Sequence, residues 1–197
     1  YSEVYSLKVE DSSFEGEARV GILFTSPMPG GAVVRGNTLR NVGQTAIQLS
    51  GGKFTQVADG CMDYLPNALV ENNRILGGGQ RAPLARSYIF GILVYGNNVI
   101  VRGNIVKDFN RGEKIPDAPY GHRFKLPDGS YYEGIWIATE KDPHRRLAGA
   151  AIYLKANRAI IADNICTNSG WRSVIEVKTG GIGPYVLVTG NIVDGSS

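Results

Sequence analysis

The chain has 197 residues, 43% of them hydrophobic and 26 of them glycine, with a net charge of only +3. That length and apolar content allow one ordered domain with a substantial core. The balanced charge, without a basic helix or an arginine-rich face, argues against a nucleic-acid partner, and no apolar run approaches the length of a membrane span, so no membrane partner is expected either.

In chain order, Tyr1 to Arg19 is polar and reads as an opening strand or partial cap. From there a short pattern recurs five times. Asparagine stands at its centre, as Asn37, Asn73, Asn104, Asn164 and Asn191. The residue before it is Gly36, Asn72, Gly103, Asp163 or Gly190, the three residue types that tolerate a left-handed backbone. Each centre is therefore a tight bend. Apolar residues stand five and three places upstream of each asparagine: Ala32 and Val34, Ala68 and Val70, Val99 and Val101, Ala159 and Ile161, Val186 and Val188. A period of two marks strands. A second strand signature starts at Gly21, Ala46, Gly91, Ala151 and Val174. Gly21 to Ala46 spans 25 residues and Ala151 to Val174 spans 23, whereas Ala46 to Gly91 spans 45 and Gly91 to Ala151 spans 60. Two units are compact and two carry insertions.

The insertions run from about 51 to 67 and from about 110 to 149. The second contains Leu126-Pro-Asp-Gly-Ser between Phe124 and Tyr131, a turn sequence that predicts a hairpin, and then the strand-like run around Trp136. An insertion of that length should form a small projecting subdomain.

Short strands and bends repeating every twenty-odd residues, with no helical segment, predict an all-β fold: a right-handed parallel β-helix, a solenoid of about five coils with two insertions. Stacked coils about 4.8 Å apart would bring the five asparagines into a ladder, each amide donating to the oxygen of the next. The pattern resembles the pectin-lyase-like superfamily, which includes polysaccharide lyases, glycoside hydrolases and phage tailspikes. The resemblance covers about residues 20 to 197. It implies a β-helix and leaves the function open, because one scaffold hosts many activities. Residues 1 to 197 read as a single such domain. Little follows Val193 that could cover a last coil, so a larger parent chain or a homo-oligomer is expected.

Strand alternation predicts which side chains face outward. If Ile22, Ile47, Ile92, Ile152 and Ile175 point inward, then Leu23, Gln48, Leu93, Tyr153 and Glu176 form one outward column. Thr25, Ser50, Tyr95, Lys155 and Lys178 form the next. Aromatic rings beside amides and hydroxyls suit the flat C–H faces and many hydroxyls of a sugar. Gln48, Tyr95, Tyr153 and Trp136 are the candidate substrate-binding residues. Equally, Tyr and Leu on such a face can reflect β propensity alone, under the cover of the second insertion.

For catalysis, two ammonium groups stacked one coil apart repel each other, and a neutral Lys155 or Lys178 could take the C5 proton of a uronic acid, with Glu176 or a nearby Arg arranging the substrate. Two solvated lysines splayed apart are the plainer alternative. Arg81-Ala-Pro-Leu-Ala-Arg86 resembles the Arg-x-Pro-x-x-Arg segment of calcium-dependent pectate lyases, which would make Arg81 a base. The acidic series that binds calcium in those enzymes is missing, so no cofactor is expected and no motif supports calcium. Hydrolysis would need two carboxylates across a groove. Asp59, Asp63, Asp108, Glu140, Asp142 and Glu176 are available, and none forms a pair by spacing. Arg35, Glu71 and Arg102 should form a surface ion-pair row, His122 and His144 have no metal-ligand spacing, and Cys166 occupies a core position.

The expected function is binding, and enzymatic cleavage, of an extended acidic polysaccharide in an extracellular, cell-surface or virion setting. The alternative is a non-catalytic structural or receptor-binding segment of a tailspike or surface adhesin.

Overall fold

A computed structural model describes residues 5–16, 18, 20–26, 28–51, 65–79, 89–109, 123–125, 131–133, 149–169, 173–179 and 185–194. Among these residues the chain is all-β, with seventeen strands and no helix. The strands form a nine-stranded sheet, a six-stranded sheet and a separate two-stranded hairpin. Among the described residues every strand pairing within the two large sheets is parallel.

The strands fall into three rows, which the chain visits in fixed order. The first row holds β1 (Leu7–Glu10), β4 (Ala32–Arg35), β7 (Leu65–Glu71), the second half of β9 (Ile89–Arg102), the second half of β13 (Gly149–Ala162) and β16 (Tyr185–Thr189). The second row is the six-stranded sheet of β2 (Ser13–Glu15), β5 (Thr38–Val42), β8 (Arg74–Gly78), β10 (Ile105–Phe109), β14 (Ile165–Thr167) and β17 (Ile192–Asp194). The third row holds β3 (Val20–Thr25), β6 (Thr45–Ser50), the first halves of β9 and β13, and β15 (Ser173–Thr179). Parallel neighbours need crossovers. Here the crossover is the rest of each pass. The hairpin expected around Leu126-Pro-Asp-Gly-Ser is present as β11 (Arg123–Lys125) paired antiparallel with β12 (Tyr131–Glu133).

Register stacks the apolar residues of successive passes. Val34 pairs with Val70, Val70 with Val101, Val101 with Ile161, and Ile161 with Val188. In the second row Leu39, Ile75, Val106 and Cys166 align in the same way. All eight, Val188 aside, have no solvent exposure, so the core is a continuous apolar column between the rows.

The corner between the first and second rows is built from two residues in every pass. Asn37, Asn73, Asn104 and Asn164 are fully buried there. Buried amides are tolerable only when satisfied. Each Oδ1 accepts both the backbone N–H and the Nδ2 of the preceding ladder asparagine: Asn73 from Asn37 at 3.0 and 3.0 Å, Asn104 from Asn73 at 3.0 and 2.9 Å, Asn164 from Asn104 at 3.0 and 2.9 Å, and Asn191 from Asn164 at 3.0 and 2.8 Å. The remaining Nδ2 hydrogen donates back to a carbonyl of the previous pass, as from Asn104 to Val70 at 2.9 Å. The ladder is in register, as the repeat predicts.

Every residue preceding a ladder position has positive φ: Asp11 49°, Gly36 67°, Asn72 55°, Gly103 63°, Asp163 56° and Gly190 63°. Side-chain and glycine positions alternate strictly along this column. The reason is steric, because each Asp or Asn leans over the glycine of the next pass. A Cβ added at Gly36 or Gly103 would fall inside contact distance of Asp11 Oδ1 or Asn72 Oδ1.

Two details differ from the sequence expectation. An additional first pass exists, because Ser12 donates its backbone N–H to Asn37 Oδ1 at 3.0 Å and so takes the ladder position without being an asparagine. The first insertion is also shorter, since Leu65, Pro66 and Asn67 belong to β7.

Candidate functional site

The outward columns predicted on the third row are in register, except that Ser50 has no register partner in β9. Leu23 pairs with Gln48, Gln48 with Leu93, Leu93 with Tyr153, and Tyr153 with Glu176. Thr25 pairs with Ser50, Tyr95 with Lys155, and Lys155 with Lys178. The pairing is interrupted at Gly21, Ala46, Gly91, Ala151 and Val174, none of which has a partner in the register. This is a bend directed at the core, occupied by Gly or Ala in every pass but the last, where Val174 stands half-buried. A Cβ on Gly91 would meet Ala151 O and Val106 Cγ1.

The bend turns the preceding residue outward, which places Phe90 beside the strip. Phe90, Leu93, Ala150 and Tyr153 form an apolar cluster distinct from the main core, with Tyr95 packed against it. The rings of Phe90 and Tyr153 lie 4.9 Å apart between centroids, and those of Tyr95 and Tyr153 lie 6.3 Å apart. The strip is less open than alternation alone implies. Gln48, Leu93 and Tyr153 are only 7%, 6% and 8% exposed, and all six residues of β6 are buried.

Exposure returns at the lysine end. Lys178 Nζ lies 5.5 Å from the centre of the Tyr153 ring and 3.9 Å from Glu176 Oε1, while Lys155 Nζ lies 5.9 Å from the Tyr95 ring. Each ammonium therefore caps a tyrosine of the preceding pass, a favourable cation–π arrangement. The Lys178 side chain is exposed and Lys155 is half-buried. Glu176 is the one carboxylate in the two columns.

A third polar column adjoins the strip, which strand alternation did not single out. Asn157 Nδ2 donates to Asn97 Oδ1 at 2.7 Å, and across the same corner Asn98 Nδ2 donates to Asn67 Oδ1 at 3.1 Å. A sequence signal was available, because Asn97 and Asn157 stand two places after Tyr95 and Lys155. A second left-handed corner also escaped notice. It lies four residues after the ladder, at Asn41, Gly77, Asp108 and Asn168.

Long connections gather at this row. Segments 51–64, 79–88 and 110–148 all join an end of β6, β9 or β13. Arg81 and Trp136 lie in these segments, outside the described residues, as do Asp59, Asp63, Glu140, Asp142, His122 and His144. Asp108 is described and sits away from the strip, accepting from Asn168 Nδ2 at 2.7 Å at the second-row corner. Arg35, Glu71 and Arg102 form the expected ion row, extended by Glu10, with Arg102 Nε 2.8 Å from Glu71 Oε2 and Arg35 Nη2 2.7 Å from Glu10 Oε1. Cys166 is a free, buried thiol whose pKa is pushed up to about 12 by desolvation. No group of three or more His, Cys, Asp or Glu that could hold a metal occurs among the described residues.

Comparisons with protein-family models, with curated proteins and with solved structures find no match to this chain.

Proposed function

We propose that the chain is a right-handed parallel β-helix of the pectin-lyase-like kind that binds an extended, acidic polysaccharide at the lysine end of its third row, in an extracellular, cell-surface or virion setting. The observation that carries this is the aligned pair of columns, Tyr95–Lys155–Lys178 beside Tyr153–Glu176. Successive side chains in such a column are spaced about 4.8 Å apart, comparable to one sugar unit. Two cations repeated at that spacing match carboxylates repeated along a uronate chain. The half-buried Tyr95 ring offers a stacking surface, and the amides of Asn97 and Asn157 follow two residues along the strands for hydroxyl groups.

Elimination is the cleavage chemistry this arrangement favours. Hydrolysis by a carboxylate pair needs a second acid, and the described columns supply only Glu176. In the eliminative step the half-buried Lys155, in its neutral form, takes the C5 proton, the C4–O bond breaks as the C4–C5 double bond forms, and the Lys155 ammonium so formed returns that proton to the departing oxygen. Lys178, exposed beside Glu176, meets the substrate carboxylate. No metal is required by this scheme.

The alternative is a non-catalytic tailspike or adhesin segment, favoured by the burial of Gln48, Leu93 and Tyr153, which closes the middle of the strip to a long ligand. Incubation with pectate, alginate, glycosaminoglycans and bacterial capsules separates the two. Ultraviolet absorbance from an unsaturated product, lost in Lys155→Ala, supports the lyase. Retention of an acidic glycan without new chain ends supports the adhesin, and no interaction with any acidic glycan removes both.

A further inference from the structure

The outer face of the second row takes no part in the third-row strip. Leu39, Ile75, Val106 and Cys166 are fully buried in the core, so the residues beside them in sequence point out. One outward column runs through Arg74, Ile105 and Ile165, and the next through Arg40, Leu76 and Lys107. Arg40, Arg74 and Lys107 are exposed, and among the described residues none of them joins an ion pair. They stand on consecutive passes and alternate between the columns. With about 4.8 Å between strands and about 3.3 Å per residue along them, their Cα atoms make a triangle with sides of roughly 8–10 Å. The acids of this face lie at its margins: Glu15 stands beside Arg40 in the register but outside ion-pair distance, Asp194 is on β17, and Asp108 is tied to Asn168 at the corner.

The face is also apolar beside its cations. Ile165 is 38% exposed although β10 and β17 flank its strand on both sides, and Ile105 and Leu76 are half-buried next to the charges. Among the described residues no aromatic side chain points outward from this row, so it lacks the stacking surface that suits a sugar.

We propose that the outer face of the second row docks onto an anionic lipid bilayer, with Arg40, Arg74 and Lys107 meeting acidic headgroups and Ile105 and Ile165 lying at the boundary between headgroups and acyl chains. Cations spread in two dimensions match headgroups packed in a plane, whereas charges in single file match a polymer. The exposed isoleucine gains from burial only against a partner with an apolar layer. Such docking needs no spanning segment. The linear sequence conceals the face, because its three cations come from separate passes and form no basic segment.

Co-sedimentation with vesicles at physiological ionic strength tests the proposal. The wild type should bind vesicles containing phosphatidylserine, bind pure phosphatidylcholine vesicles far less, and be released as salt is raised. Arg74→Ser and Lys107→Ser should each lower partitioning roughly fivefold, and the triple variant with Arg40→Ser on the order of a hundredfold. Ile165→Ser should lower it severalfold. Arg158→Ser, an equal change of charge on the first row, should change it less than about twofold, because salt screens a charge held away from the surface. All of these side chains are exposed, so circular dichroism should stay that of the wild type. Equal partitioning by the wild type and the triple variant, no response to Ile165→Ser, or a loss in Arg158→Ser as large as in Arg74→Ser would overturn the proposal. Capture of a soluble sulfated polysaccharide in place of anionic vesicles would overturn it too.

Discussion

At the asparagine corner every pass crosses from the first row to the second in two residues, whereas the third row is bordered by connections of fourteen, ten and thirty-nine residues at 51–64, 79–88 and 110–148. The corner cannot accept an insertion, because each ladder amide must reach the next at 2.8–3.0 Å. Among the described residues the third row shows no asparagine ladder of this kind, and its strand ends carry the long connections. Stability is concentrated where the geometry is closed, and variable chemistry where it is open. The same passes of chain serve both.

Breaking the closed corner should have the largest effect. Asn104→Ala leaves Asn73 Nδ2, Val70 O and Asn164 Oδ1 each short of a partner in a buried site. A loss of about 3–5 kcal/mol in urea unfolding is expected. Gly103→Ala comes next, at about 1–3 kcal/mol, because its φ is +63° and its new Cβ would collide with Asn72 Oδ1. Asn72→Gly removes that oxygen, so the double variant should recover part of the loss. An additive double variant would contradict the alternating column.

The open row should respond in the reverse sense. Lys155→Ala with Lys178→Ala removes two cation–π contacts and is expected to change unfolding by no more than about 2 kcal/mol. Binding of an acidic polysaccharide should nevertheless fall at least tenfold, about 1.4 kcal/mol.

The effect that is smallest near neutral pH is one of ionisation. Cys166 ionises near 9.0 when unfolded and only near 12 when buried. Below pH 9 the thiol is neutral in both states and costs nothing. As pH rises from 9 toward 12 the unfolded chain releases its proton first, so stability declines. Unfolding curves of the wild type and Cys166→Ala should diverge in slope only in that window.

Much of the closed region was legible in the sequence because its chemistry is restrictive. Only Gly, Asn and Asp suit a left-handed bend, and only asparagine combines donors with an acceptor at ladder spacing, so five copies of the motif reveal the corner. The first pass was hidden because Ser12 fills the ladder position using its backbone N–H, which no side-chain pattern records. Pro66 read as loop for a related reason. It falls at the corner before the first row, where Leu65 and Asn67 have register partners and Pro66 has none, so its missing N–H disturbs no strand pairing. On the open row, alternation assigned Gln48, Leu93 and Tyr153 to the outer face correctly but could not report their burial. Periodicity tells which way a side chain points, and not what lies over it. Phe90 was missed because the bend at Gly91 breaks the period of two.

The most direct test is calorimetric titration of an acidic oligosaccharide series into the wild type and into the Lys155→Ala, Lys178→Ala double variant, with urea unfolding of both. The account predicts saturable binding by the wild type, loss of that binding in the variant, and unfolding free energies that agree within about 2 kcal/mol. Equal binding by both proteins, or binding lost only together with stability, would contradict it.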